Sequence, residues 1–157
     1  MQKIVTTSYS PENTREIGTD IAKFLAKGDI ISISGELGVG KTCLIGGIVK
    51  ALGGGNNITS ASFTLLSVYD ASIPIYHFDA YRLEDSIQAF HLGIDEYIYG
   101  DGITLIEWGD RISDILPDES LFIEIRYLED GAREIKIYSG SEKWQERLMK
   151  LGKLWKL

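Results

Sequence analysis

The octapeptide Gly35-Glu36-Leu37-Gly38-Val39-Gly40-Lys41-Thr42 constrains this chain more than any other stretch. It matches G-x-x-x-x-G-K-[ST] at every fixed position. Each part of that pattern has a physical reason. Glycines let successive backbone N–H groups turn inward and form a concave anion site. A helix starting at the end of the loop points its positive end at the phosphates. Lys41 is placed to reach the β- and γ-phosphates, and the Thr42 hydroxyl to ligand Mg2+. The context that supports such a loop is a strand before it and a helix after it. Asp29-Ile30-Ile31-Ser32-Ile33-Ser34 reads as a buried strand and residues 42–52 as a helix. Cys43 follows the loop directly and is read as a small packing residue, not a redox centre.

The rest of the chain repeats the alternation. A first helix is predicted from Ser10, with Pro11 at its first position, where a missing N–H is tolerated. Ile17, Ile21, Phe24 and Leu25 recur at helical spacing until Gly28. Gly53-Gly54-Gly55-Asn56-Asn57 reads as a loop. Residues 63–69 and 74–81 read as strands around a turn at Asp70-Ala71-Ser72, and residues 86–92 as a short helix. Ile103-Thr104-Leu105-Ile106 is a short apolar strand followed by a helical turn up to Leu116. Residues 121–128 and 134–138 form a hairpin around Asp130-Gly131. A C-terminal helix from Ser141 puts Trp144, Leu148, Leu151 and Trp155 on one face. The expectation is an α/β fold of the P-loop NTPase kind, with a mainly parallel sheet flanked by helices, antiparallel additions and that C-terminal helix.

At 157 residues the chain suits one domain, 1–157, with 141–157 as its C-terminal amphipathic helix. No run of about 18 apolar residues predicts a membrane span. Residues 1–7 lead into polar sequence without the apolar core of a signal peptide. One cysteine leaves no internal disulfide, and a reducing cytoplasm is the expected setting. There are 23 acids against 16 bases, a net charge of −7. Bulk electrostatics therefore argue against direct nucleic-acid binding. Within residues 141–157 two acids face five bases, giving +3 and leaving −10 for the remainder. A solvated face on a packed helix explains that run; a docking helix for a partner or tRNA is the sharper alternative.

Phosphate chemistry at such a loop needs a second acid near the metal, usually at the end of an apolar strand. Ile75-Tyr76-His77-Phe78-Asp79 ends in Asp79, and Ile103-Thr104-Leu105-Ile106-Glu107 ends in Glu107. Strand alternation puts His77, Asp79 and Tyr81 on one face, opposite Phe78 and Ala80. His77 reads equally as a satisfied core histidine. The guanine reader N-K-x-D is absent, and no clustered arginine pair sits in a lid-like loop.

The order of these strings resembles the bacterial TsaE family (also YjeE), a small P-loop ATPase of tRNA threonylcarbamoyladenosine biosynthesis. The similarity spans about residues 4–138. It rests on the phosphate loop, Ser60-Ala61-Ser62-Phe63-Thr64-Leu65, His77-Phe78-Asp79-Ala80-Tyr81-Arg82-Leu83, Leu92-Gly93-Ile94-Asp95-Glu96, Leu105-Ile106-Glu107-Trp108 and Ile115-Leu116-Pro117. Where the family usually reads Ser-Pro-Thr-Phe, this chain has Ser60-Ala61-Ser62-Phe63, which keeps a hydroxyl and drops the proline.

The resemblance implies Mg2+ and ATP as ligands and slow hydrolysis that depends on partners. Those partners would be TsaD and TsaB, with tRNA, modified at position 37, engaged only through them. It implies that the chain is not the threonylcarbamoyl transferase itself. It implies phosphate-binding N–H groups at Gly38, Val39, Gly40, Lys41, Thr42 and Cys43, with Gly35 in the same cofactor-binding loop and Lys41 neutralising phosphoryl charge. Thr42 and Glu107 would hold Mg2+, and Asp79 would sit beside the metal or orient the attacking water. Residues 60–64 would sense the γ-phosphate, Trp108 would pack near the nucleotide, and Tyr81 and Arg82 would line the site or a partner surface. A small-metabolite kinase and a non-enzymatic nucleotide switch are the alternatives the same loop permits.

Overall fold

The computed structural model describes residues 1–55 and 66–157. The part of the glycine–asparagine loop from Asn56 on, the string Ser60-Ala61-Ser62-Phe63-Thr64 and the start of the strand expected from residue 63 lie outside the described residues. The strands are β1 (Gln2–Ser8), β2 (Ile30–Gly35), β3 (Leu66–Tyr69), β4 (Ile75–Asp79), β5 (Ile103–Glu107), β6 (Leu121–Tyr127) and β7 (Arg133–Ser139). The α-helices are α1 (Pro11–Ala22), α2 (Lys41–Ala51), α3 (Ser86–His91), α4 (Ile94–Ile98) and α5 (Glu142–Leu154), and a 3-10 helix spans Gly109–Ile115. All described strands join one sheet in the order β1-β7-β6-β2-β5-β4-β3. Its centre, β6-β2-β5-β4, is parallel. The additions β3, β7 and β1 pair antiparallel.

Helices cover the sheet on two sides. Ile31, Ile33, Ile75, Leu105, Ile123 and Ile137 meet α1, α2 and α5 in one core. Phe78, Ile106, Ile94, Ile98 and Ile112 form the other, under α3, α4 and the 3-10 helix. The central strands carry apolar residues on both faces because both faces are covered. Gly18 of α1 and Gly47 of α2 let the two helices meet backbone to backbone. A Cβ at Gly18 would stand 2.3 Å from the Leu44 carbonyl oxygen, and one at Gly47 would stand 2.1 Å from that of Arg15. This contact fixes the N-terminal end of α1 beside the phosphate loop.

The first helix starts as the sequence predicts, with the Asn13 N–H donating to Ser10 Oγ at 3.0 Å and Pro11 inside the first turn. It stops at Ala22, short of Leu25. Phe24 and Leu25 continue as single turns bonded to Ile21 and Ala22 and pack their side chains on the core. Two elements were illegible in sequence. In β1 only Ile4 is a buried apolar residue, so the strand is defined by its pairing with β7. The five-residue helix α4 is too short to display a period.

The C-terminal helix packs as an integral element. Trp144, Leu148 and Leu151 are buried, and Trp155 donates through Nε1 to Asp20 Oδ2 at 2.8 Å. Two of its bases point inward at the fully buried Asp29: Lys143 Nζ lies 2.9 Å from Oδ1 and Arg147 Nη1 2.8 Å from Oδ2. No helix among the described residues is long and apolar enough to cross a membrane.

Candidate functional site at the C-terminal edge of the parallel strands

The parallel strands β2, β5 and β4 lie side by side, so their C-terminal ends share one edge. Each delivers one part of the site. β2 ends in Gly35 and opens into the phosphate loop, β5 ends in Glu107, and β4 ends in Asp79. Asp79 and Glu107 are in register and share a face. Main-chain bonds lock the edge: the Trp108 N–H donates to the Ile33 carbonyl and the Ala80 N–H to the Glu107 carbonyl, both at 2.9 Å.

The loop makes the tight reversal its glycines allow. Gly38 has φ +79° and Gly40 has φ +122°, both in the left-handed region. Val39 is buried, and its N–H closes a turn on the Glu36 carbonyl at 3.1 Å. Gly40 caps α2 without a side chain, which leaves the helix N-terminus open toward the loop. Lys41 is buried in the first turn, its ammonium donating to the carbonyls of Gly35 and of Glu36, the latter at 2.9 Å. Trp108 lies over it, with Nζ 4.1 Å from the ring centroid. Burial lowers the pKa of the Lys41 ammonium, against the opposing pull of Glu107, Asp79, Asp110 and Glu36.

Thr42 Oγ1 stands 3.5 Å from Glu107 Oε1. Two hard oxygens from two elements, at the mouth of an anion-binding loop, suit Mg2+, which takes one or two protein oxygens and completes its shell with phosphates and water. The other oxygen of Glu107 is held inside: His77 Nε2 lies 2.9 Å from Oε2, and His77 Nδ1 lies 3.1 Å from the Tyr69 hydroxyl. His77 is fully buried, and Glu107 and Asp79 nearly so.

Of the residues singled out in sequence, Gly35, Gly38, Val39, Gly40, Lys41, Thr42, Asp79, Glu107 and Trp108 come together at this edge. Cys43 is half-buried and lines the adjoining cleft. Tyr81 departs from the expected alternation. β4 ends at Asp79, whose Oδ1 accepts the Tyr81 N–H at 2.9 Å, so Tyr81 turns out of the strand and packs on Trp108 with centroids 4.9 Å apart. Arg82 is exposed beyond that turn.

Two groups escaped sequence reading. Arg133, at the start of β7, donates through Nε to the Val39 carbonyl at 3.0 Å and stacks on Tyr127 at 4.2 Å. Tyr9, Ser10 and Thr14 join Gly38, Gly40 and Arg133 around a cleft of about 160 Å³ against the loop. No local string marks these residues, because the sheet order brings them to the loop from both ends of the chain.

A phosphate loop on a central parallel strand, with an acid ending the neighbouring strand, defines a P-loop protein of the NTPase fold. The family described as "Threonylcarbamoyl adenosine biosynthesis protein TsaE" matches residues 8–135. The TsaE of Treponema pallidum is 40% identical over 130 residues, covering 83% of this chain and 96% of the relative. That of Bacillus subtilis is 38% identical over 136 residues, covering 86% of this chain and 85% of the relative. The crystal structure of Bacillus subtilis YdiB superposes with a TM-score of 0.83 at 33% identity, covering 98% of this chain and 96% of that one. The chain belongs to the TsaE family, whose role is in tRNA threonylcarbamoyladenosine biosynthesis.

Proposed function

We propose that this chain is a cytoplasmic Mg2+-dependent ATPase that serves threonylcarbamoylation of tRNA at position 37 by acting on a TsaD–TsaB complex. It hydrolyses ATP slowly alone and faster with those partners, and it is not the transferase. The observation that carries the reading is the placement of Lys41, Thr42 and Glu107 around one mouth, with Thr42 and Glu107 oxygens 3.5 Å apart. The N–H groups of residues 38–43 and the Lys41 ammonium bind the phosphates. When bound, Mg2+ would be held by Thr42 Oγ1 and Glu107 Oε1 and would neutralise phosphoryl charge. Asp79, one strand further, orients the attacking water or the metal's shell. The cleft of Tyr9, Ser10, Thr14 and Arg133 is the direction in which the nucleoside extends. Trp108 shields the Lys41 side of the site.

The test is nucleotide choice and fate. ATP is expected to displace a fluorescent nucleotide better than GTP does, and phosphate release is expected to rise when TsaD and TsaB are added. Equal competition by GTP contradicts the base preference. Phosphate recovered on an added metabolite would instead mark a kinase.

A further inference from the structure

We propose that His77 is a positioning residue that fixes the Glu107 carboxylate for metal binding, and that Tyr69 sets the tautomer in which His77 does so. The inference rests on the reading of Glu107 as a metal ligand given above. Three side chains run diagonally over three neighbouring strands, each two residues out of register with the next: Tyr69 on β3, His77 on β4 and Glu107 on β5. His77 Nε2 is 2.9 Å from Glu107 Oε2, and Nδ1 is 3.1 Å from the Tyr69 hydroxyl. Both ring nitrogens are therefore engaged in a histidine with no solvent exposure.

The chemistry sets the direction of each bond. An ionised carboxylate only accepts, so Nε2 must carry the proton it shares with Glu107. In a neutral ring Nδ1 is then the acceptor, and the Tyr69 hydroxyl donates to it. One carboxylate oxygen is anchored from inside the sheet, and the other is left toward Thr42 Oγ1, where a metal would sit. An outer partner that holds a ligand in this way sharpens its orientation. A residue needed only to fill the core would not require this arrangement, since an apolar ring fills the same space without placing two polar atoms out of water.

The test is metal affinity, read without turnover. Mn2+ is titrated onto the ADP-loaded chain, and free Mn2+ is followed by electron paramagnetic resonance. ADP affinity in chelator is the control. His77→Phe keeps a ring and removes both nitrogens. It should weaken Mn2+ binding by roughly 10- to 100-fold while leaving chelator-insensitive ADP affinity within about twofold. His77→Gln returns an N–H near the Nε2 position and should bind Mn2+ within about threefold of the original chain. Tyr69→Phe removes only the hydroxyl and should lose about threefold to tenfold. Should His77→Phe fail to fold, His77→Gln and Tyr69→Phe carry the test. Nitrogen-15 NMR of the unaltered chain should also find the His77 proton on Nε2. Equal losses for His77→Phe and His77→Gln, unchanged Mn2+ affinity in His77→Phe and Tyr69→Phe, or a neutral ring protonated on Nδ1 would each overturn the inference. Glu107→Ala separates the two readings. If it weakens Mn2+ and His77→Phe does not, Glu107 remains the ligand and the role of His77 falls. If Glu107→Ala leaves Mn2+ binding intact, the metal reading of Glu107 falls first.

Discussion

At the scale of single residues the proposed function divides binding from chemistry. On the proposed function, Lys41 and the loop amides would meet phosphate charge already present in the ground state, whereas the two acids would act on charge that develops during transfer. Lys41→Ala removes a charge-assisted contact worth about 1.5–3 kcal/mol, so nucleotide affinity should fall roughly 10- to 100-fold in calorimetry. Unchanged affinity would contradict the role of the loop. Glu107→Ala and Asp79→Ala should keep nucleotide binding within about tenfold yet reduce partner-stimulated hydrolysis on the order of 100-fold. Magnesium titrations should show the larger shift for Glu107→Ala. The reverse order would exchange the roles of the two acids. These residues were legible because each sits in a local string: a loop of fixed spacing, or an acid closing an apolar run. The partners of His77 were not. A period of two puts His77 and Asp79 on one face, but the contact to Glu107 depends on which strand lies next to β4. That order is settled by the crossover and not by either string. Arg133 was hidden for the same reason.

At the scale of elements, two attachments invite measurement. The helix α5 is held by apolar contacts and by Lys143 and Arg147 on the buried Asp29, whose Oδ2 also accepts the Ala26 N–H at 2.6 Å. Asp29→Ala leaves two inward-turned cations without their carboxylate and should cost about 2–3 kcal/mol. For a chain of this size that lowers the melting temperature by roughly 5–10 °C in calorimetry. An unchanged melting temperature would mean that the apolar face alone holds the helix. The second attachment is on the hairpin β6–β7. Burial, with the bond to Glu124 at 2.7 Å, raises the Tyr138 phenol from 10.0 to about 12. The unfolded chain then loses this proton first as pH rises past 10. Between pH 10 and about 12 the folded state binds the extra proton, so this group's contribution to stability declines over that window. Denaturant midpoints across it should fall less steeply in Tyr138→Phe; identical slopes would contradict the assignment. The amphipathic pattern of α5 was readable from its spacing. Its anchor was not, because Asp29 lies more than a hundred residues earlier and looked like the start of a strand.

At the scale of the whole molecule, charge argues against direct binding of the nucleic acid that the family's pathway modifies. The net charge is −7, and the one basic segment turns Lys143 and Arg147 inward and pairs Lys150 with Glu146 at 2.9 Å. The free chain should therefore retain no tRNA in filter binding at about 0.15 M salt; salt-sensitive retention would reinstate α5 as a docking helix. What the fold offers is the phosphate-loop motif at one edge of the sheet with Asp79 and Glu107 in register beside it, the edge proposed above as the nucleotide site. The α/β class and parallel centre were foreseeable from alternating strands and helices. The edge strand β1 was not, because half-buried pairing leaves little apolar signal. The proposed function has this site hydrolyse ATP in the service of partners. The most direct measurement is single-turnover release of labelled phosphate from ATP by this chain, alone and with the TsaD–TsaB pair, beside Glu107→Ala. Slow release alone, faster release with the pair, and a loss on the order of 100-fold in Glu107→Ala with nucleotide still bound are the expected results. Release that stays at background with the pair present, or that Glu107→Ala leaves intact, would contradict the proposed function.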